Sequence, residues 1–456
     1  MKVNKVSLFF LPVKMRVPLK FGAQVMEQVV CARTKVTLED VDGTVSEGWG
    51  ETPLSVPWVW PSSLDYFERE DLMKDFCIQL AKVLPSTGLS GHPMETGYDF
   101  IEGPLHDMLD TVNADRAESA SMPHLAALVC FSLFDIAIHD AFAKAKGVGV
   151  YDLYTKDWMI RDLSQFFGDS KFEGKYPADY LVKPESKKLP VWHLVGGLDP
   201  ISKDELTGNE PDDGYPVLLR DWIRADGLNC LKIKLRGNDA EWDYARLVAV
   251  GHICEEESVN WLTTDFNCTV MDVEYVNTIL DRLRDEEPLT YQRILYVEQP
   301  FPYDLEANPI DVHSLSARKP LFMDESAHDW RFVKMGRDLG WTGVALKTCK
   351  TLTGALLSLC WAKDHGMTLM VQDLTNPMLA QIPHVLLAAH AGTIMGVESN
   401  GMQFYPAASA PEEAVHPGLY RRRNGVLDWS TLGTNGFGYC EEKIERELPE
   451  PVPDTM

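Results

Sequence analysis

Leu231-Lys232-Ile233-Lys234-Leu235 places a Lys-x-Lys inside an apolar run just after Asn229-Cys230. Read as a strand, its period of two sends Lys232 and Lys234 to one face and the three apolar residues to the other. Two ammonium groups side by side on a buried strand repel each other, and such crowding weakens the hold of each on its proton. A lysine in that setting can act as a base near neutral pH. The alternative is an edge strand with a solvated polar face. The residues downstream decide between the two.

From Val191 onward, short β-rich segments alternate with helical stretches. The segments are Val191–Leu194, Cys230–Leu235, Trp261–Asp265, Leu295–Glu298, Leu321–Asp324, Gly343–Lys347, Thr368–Gln372 and Ile394–Glu398. This is the α/β rhythm of a barrel of parallel strands, a TIM-type barrel. Lys234 lies on the second strand, Asp265 closes the third, Glu298 the fourth, Asp324 the fifth and Lys347 the sixth, at intervals of 31, 33, 26 and 23 residues. Side chains at the carboxyl ends of successive barrel strands meet at one mouth. Three carboxylates brought together there need a cation between them. With only hard oxygen donors in the set, that cation is expected to be Mg²⁺, with water and substrate oxygens completing its shell.

Lysines on the second and sixth strands then flank the metal from opposite sides. The arrangement suits removal of the α-proton of a carboxylate through a metal-stabilised enolate, one lysine taking the proton and the other returning it. Lys232 is expected to depress the pKa of the base beside it. Racemisation or epimerisation is the expected outcome. The alternatives are an acid-sugar dehydratase (a lyase) or a cycloisomerase on the same scaffold and, from another class, a barrel that binds metal and ligand without turnover.

The ordered motifs Lys232-Ile-Lys234, Asp265-Phe-Asn267, Val297-Glu298-Gln299-Pro300, Asp324-Glu325-Ser326 and Ala345-Leu-Lys347 resemble the signature set of the enolase superfamily, muconate-lactonizing-enzyme-like subgroup, within the mandelate racemase/muconate lactonizing enzyme family. The long apolar helix before Gly147 and the Tyr151-Asp-Leu-Tyr154 that follows resemble that family's capping domain. The resemblance implies a (β/α)7β barrel with an α+β capping domain built from the N-terminal part and the C-terminal tail. It implies Mg²⁺ at Asp265, Glu298 and Asp324, with Lys234 and Lys347 as the acid/base pair. Lys20 and Phe21, in Pro18-Leu-Lys-Phe-Gly-Ala23, would form a mobile lid contributing to specificity, and Asn267 would sit beside the metal. Two features depart from related branches. Val371-Gln372-Asp373 stands where mandelate-racemase-like members place a histidine base near the seventh strand. Dipeptide epimerases typically carry Asp-x-Asp on the eighth strand to hold an ammonium group, and here the residues are Glu398-Ser399-Asn400.

The rest of the chain frames this core. The expected division is 1–155 for the capping part, 156–190 for an insertion or linker, 191–404 for the barrel and 405–456 for a tail that packs back on the capping part. A second insertion is expected within 196–229. Residues 3–13 and 27–39 read as strands joined by a loop, and Asp42-Gly43 signals a hairpin into a third strand. Asp135 and His139 lie four apart on the apolar helix and are expected to form a core pair; His384 and His390 read as core or helix-end residues. The final Pro-Glu-Pro-Val-Pro-Asp segment is expected to be loose. A formal charge of −25 argues against nucleic acid or an anionic membrane as partner. No stretch is expected to reach membrane-spanning length, and the start is not expected to carry a cleavable signal. Nine scattered cysteines without CxxC read as free thiols in a reducing, cytoplasmic setting. The expected partner is a small-molecule carboxylate, and the expected assembly is a homo-oligomer.

Overall fold

The computed structural model describes residues 1–40 and 42–453. It opens with a three-stranded antiparallel sheet, β1 (Lys2–Phe21), β2 (Gln24–Glu39) and β3 (Val45–Pro53). The segment expected to be a loop between β1 and β2 is instead the end of the hairpin: Lys20 pairs with Val25 and Phe21 with Gln24. Only Gly22-Ala23 turns the chain. Gly22 is needed there, with φ +47°, and a Cβ on it would come within 3.3 Å of Asn267 and Thr269. The hairpin tip therefore rests on the loop that follows the third barrel strand.

The sheet packs on the helix His124–Lys146, whose residues from Leu125 to Ala143 are all buried. Gly48 and Gly50 of β3 permit the approach, since a Cβ at Gly50 would meet the Leu133 carbonyl at 1.9 Å. By length and composition the stretch Glu118–Lys146, with hydropathy 1.8, could cross a membrane, contrary to the sequence expectation; its apolar window is wholly buried inside the protein. Asp135 and His139 do form a core group, but their shared partner is Thr353 of the barrel. Asp135 accepts from the Thr353 amide at 2.9 Å and its hydroxyl at 2.8 Å, and His139 Nε2 lies 3.2 Å from the same hydroxyl.

Eight parallel strands follow: β4 (Lys188–Val195), β5 (Cys230–Lys234), β6 (Trp261–Asp265), β7 (Ile294–Glu298), β8 (Leu321–Met323), β9 (Gly343–Leu346), β10 (Thr368–Val371) and β11 (Val397–Glu398). They pair in the order β10-β9-β8-β7-β6-β5-β4-β11. The ring is nearly closed, and at its seam the Ile394 amide donates to the Leu369 carbonyl at 2.8 Å. The last strand is shorter than expected and begins at Val397. Trp192, Cys230, Tyr296, Phe322 and Met370 fill the barrel interior, with Tyr296 and Phe322 stacked at 4.1 Å. This apolar floor puts the polar strand ends on a rigid base.

Ahead of β4, the stretch from 156 to 187 is tied down along its length. Arg161 pairs both nitrogens with Asp99, Lys175 and Tyr180 reach Asp364, and the Val182 amide donates to His390. The tail divides its contacts between the two layers. β12 (Val426–Asp428) pairs antiparallel with β4, while the Phe437 amide donates to Asp140 of the long helix. The tail's end is also held, since the Val452 amide donates to Leu8 at 2.8 Å. Asp454, which completes the segment expected to be loose, lies outside the described residues.

His92 and His384 are buried, and burial pushes their pKa values down from the ordinary value to about 3 and about 4. Both rings are neutral in the fold and charge in the unfolded chain below about pH 6.5. Their contribution is fully present above that pH and is lost as pH falls toward 4, at about 1.4 kcal/mol per histidine per pH unit. Thermal unfolding should therefore begin on the order of 5 °C lower at pH 5 than at pH 7. A melting temperature that stays flat between those pH values would contradict buried neutral rings.

Candidate active site

The strand ends meet because the register puts them level. Lys234 pairs with Asp265 across β5–β6, and Asp265 with Glu298 across β6–β7. Asp324 and Lys347 follow β8 and β9 directly, and Glu398 ends β11. All six side chains are buried, and the inward face of β5 carries both Lys232 and Lys234.

Lys232 occupies the centre. Its Nζ lies 2.6 Å from Glu298, 3.0 Å from Asp265 and 3.0 Å from Glu398. Lys234 Nζ donates to Asp265 at 2.5 Å. Across the mouth, Lys347 Nζ is 3.1 Å from Asp324 and donates to the Asp373 carbonyl at 3.0 Å. Asp265, Glu298 and Asp324 thus gather around lysine ammoniums and not around each other. Among the described residues no three histidine, cysteine, aspartate or glutamate side chains form a metal-holding group.

The electrostatics reverse one expectation. Burial alone would lower the pKa of Lys232, but Glu298, Glu398 and Asp265 outweigh it and hold the ammonium well above its ordinary value. Lys347 is raised in the same way, Asp324 overcoming burial. Lys232 is therefore a locked cation bridging three acids; the crowding expected to strip protons is neutralised by those carboxylates. Burial pushes Asp265 up, yet Lys234 and Lys232 together bring it below the carboxylate range. Glu298 stays raised by burial and by Asp265, with Lys232 only partly offsetting them.

The remaining predicted residues take different places. Phe21 sits on the cavity wall with its ring 5.9 Å from Lys234 Nζ. Lys20 is not among the cavity-lining residues; its carbonyl accepts from Gly197 at 3.0 Å in the loop after β4. Asn267 braces Asp265 through its amide at 2.8 Å and reaches Glu325 at 3.3 Å. Asn400 stands behind the wall and donates to Glu398 at 2.7 Å and, through its side chain and backbone, to Asp373.

Several site residues were not assigned from sequence. Trp58, from the short helix Val56–Val59 after β3, places its ring 5.1 Å from Lys347 Nζ and donates to Glu325 at 2.9 Å. The N-terminal layer thus covers each strand-end lysine with an aromatic, Phe21 over Lys234 and Trp58 over Lys347. Gln299 locks Asp324 by accepting from the Asp324 amide at 2.8 Å and the Ser326 hydroxyl at 2.7 Å. Gln372 donates to Glu298 at 2.5 Å, and Lys350 lies 3.2 Å from Asp324. Burial, Asp324 and Asp265 push Glu325 up to about 7. Gln299 and Glu325 lie inside motifs quoted above. For Trp58 no local signal exists, because its partner is 267 residues away.

The acidic segment between β4 and β5 holds the hairpin from the side. Arg16 of β1 pairs with Asp213 at 2.6 and 2.8 Å and donates to the Pro216 and Tyr215 carbonyls. In Arg16→Ala, limited proteolysis should cut the hairpin tip and residues 207–216 about tenfold faster, with the global melting temperature almost unchanged. Unaltered cleavage would mean that the pairing does not hold this edge.

Residues 216–439 match the family described as Enolase C-terminal domain-like. Among curated proteins, the L-Ala-D/L-amino acid epimerase of Pedosphaera parvula (strain Ellin514) is 29% identical over 163 residues, which is 35% of this chain and 43% of that protein. The match thus spans less than half of that relative's length. Among solved structures, the N-succinyl Arg/Lys racemase from Bacillus cereus ATCC 14579 superposes with TM-score 0.62 at 17% identity, covering 98% of this chain and 100% of that one. The dipeptide epimerase from Enterococcus faecalis V583, complexed with Mg and the dipeptide L-Leu-L-Tyr, gives TM-score 0.60 at 16% identity over 96% and 99%. Residues 216–439, which carry the barrel strands from β5 to β11 and the ordered charged strand ends, belong to the family described as Enolase C-terminal domain-like.

Proposed function

We propose that the protein is an isomerase that inverts the carbon next to a substrate carboxylate by removing its α-proton on one face and returning a proton on the other. The observation that carries this reading is the placement of Lys234 and Lys347 at the carboxyl ends of β5 and β9, four places apart in an eight-strand ring, with buried carboxylates between them. Both lysines line one cavity. The aromatic rings of Phe21 and Trp58 keep water from each ammonium.

The buried charges support a divalent cation. Lys232, Lys234, Lys347 and Lys350 face Asp265, Glu298, Asp324, Glu325, Asp373 and Glu398, all buried; with every acid ionised four cations would stand against six acids, and without a further cation that imbalance pushes Glu298 and Glu325 up. A deficit of two positive charges in a buried site fits Mg²⁺, and Asp265, Glu298 and Asp324 are the hard oxygen donors that would hold it. The solved relative carrying Mg supports the same choice. When bound, the ion supplies positive charge against the substrate carboxylate and the negative charge that develops as the proton leaves.

The chain's own groups do the rest. One strand-end lysine, once neutral, accepts the α-proton at its Nζ, while the opposite lysine, protonated, delivers one from its Nζ. Lys232 stays charged and holds Glu298, Asp265 and Glu398 in place. Gln299 fixes the backbone at Asp324, and Asn267 fixes Asp265. Nine unpaired cysteines support a reducing compartment for this activity.

The test is deuterium uptake by NMR in D2O with Mg²⁺ on pooled chiral carboxylates. Incorporation at an α-carbon that chelation with EDTA suppresses is the expected result. Incorporation equally fast after chelation would contradict the metal requirement.

A further inference from the structure

A second cleft lies between the segment that joins β4 to β5 and the C-terminal tail. Residues 213–216 line it from the segment and residues 420–423 from the tail, and Met402 and the helix Leu219–Asp226, through Trp222 and Asp226, complete the lining. Its volume is about 520 Å³, within the range of small-ligand pockets. It shares no lining residue with the cavity of Lys234 and Lys347.

Arg421-Arg422-Arg423 is a run of three cations in a chain whose formal charge is −25. Arg422 is wholly buried and serves the fold, donating from Nε to Asp226 at 2.8 Å and from Nη1 to Gln403 at 3.3 Å, with Nη2 3.0 Å from His193 Nδ1. Arg423 comes within 3.5 Å of the same carboxylate, so Asp226 answers two guanidiniums. Arg421 pairs with Glu413 through Nε, and Asp213 is taken by Arg16. Each of these acids is therefore engaged. Among the described residues, Arg421 donates only through Nε and Arg423 only through Nη1, and their side chains are 53% and 59% exposed. Spare guanidinium N–H groups in this position suit a carboxylate or phosphate, whose oxygens match the fork. Trp222, Tyr215 and Tyr420 in the same lining suit a flat apolar body attached to it.

We infer that this cleft is a second ligand site, that it takes a small aromatic carboxylate or phosphate on Arg421 and Arg423, and that its occupancy is felt at the β1–β2 hairpin. The link is Arg16, which pairs with Asp213 and donates to the Tyr215 and Pro216 carbonyls, all three in the cleft lining. Arg16 stands where the β1–β2 ladder is interrupted, between Lys14 and Leu19. Beyond the break, Leu19 and Phe21 line the cavity of the lysines. An occupant resting on residues 213–216 stiffens the segment that holds the hairpin at this break. The site stands independently of the reaction assigned to the lysines.

Hydrogen–deuterium exchange of the whole protein in EDTA, with and without phenyl phosphate at about 1 mM, tests the site by place. Backbone exchange should slow about threefold or more at 213–216, at 420–423 and at 14–18. Calorimetric titration should find inorganic phosphate about tenfold weaker than phenyl phosphate, because it lacks the ring. In the double variant Arg421→Ala, Arg423→Ala, changed at two exposed side chains, the protection should vanish from all three segments. In Arg16→Ala it should remain at 420–423 and vanish at 14–18. No protection at 213–216 and 420–423, protection unchanged in the double variant, or inorganic phosphate binding as tightly as phenyl phosphate would overturn the site. Protection at 14–18 that survives in Arg16→Ala would overturn the link to the hairpin.

Discussion

Lys347→Ala is expected to slow conversion between stereoisomers about 10³-fold, within the range that a positioned acid or base contributes. The reason is geometric. Lys347 is held by Asp324 at 3.1 Å and the Asp373 carbonyl at 3.0 Å, and among the described residues no other lysine on its side of the mouth lines the cavity. Lys350 lies close by but is turned back to the Asp324 and Ala327 carbonyls. α-Proton exchange on the face served by Lys234 should survive the change, since Lys234 has its own partner, Asp265, on β6. Polarimetry measures conversion and NMR in D2O measures exchange on the same sample. Full conversion in the variant would remove Lys347 from the reaction.

The second large effect is on stability. Lys232→Met replaces a buried ammonium by a neutral chain of similar length and leaves Glu298, Asp265 and Glu398 without their shared cation. Breaking a buried ion pair from one side costs about 3–5 kcal/mol. In EDTA the variant should unfold at a correspondingly lower denaturant concentration, and Mg²⁺ should recover part of the loss by binding the freed carboxylates. Equal stability of the two proteins in EDTA would mean that Lys232 is not the clamp described here.

These two lysines also mark what could be read from the chain. The barrel was legible because its strands are short apolar runs, and those from β5 to β9 carry a charged residue at or directly after the carboxyl end, a local pattern. Lys234, Asp265, Glu298, Asp324 and Lys347 stand out for the same reason. The direction of the lysine shifts was not legible. Lys232 and Lys234 alone predict mutual repulsion, but the field at Lys232 is set by Glu298 and Glu398, which are 66 and 166 residues away. The covering of the mouth is equally non-local. Pro18–Ala23 carries turn-like residues and reads as a loop, yet ladder pairing extends to Phe21 because the tip is supported by Asn267 and Thr269. Trp58 and Arg16 have partners fixed only by tertiary packing, and their roles follow from the folded form alone.

The most direct test of the two-lysine account starts from a single enantiomer of a substrate in D2O and follows both enantiomers from the first turnover. Opposed bases predict deuterium in nearly all of the newly formed enantiomer, while the remaining starting enantiomer keeps its proton early in the reaction. Equal deuterium in both from the outset would point to one base working on both faces, and would contradict the assignment of Lys234 and Lys347 to opposite sides.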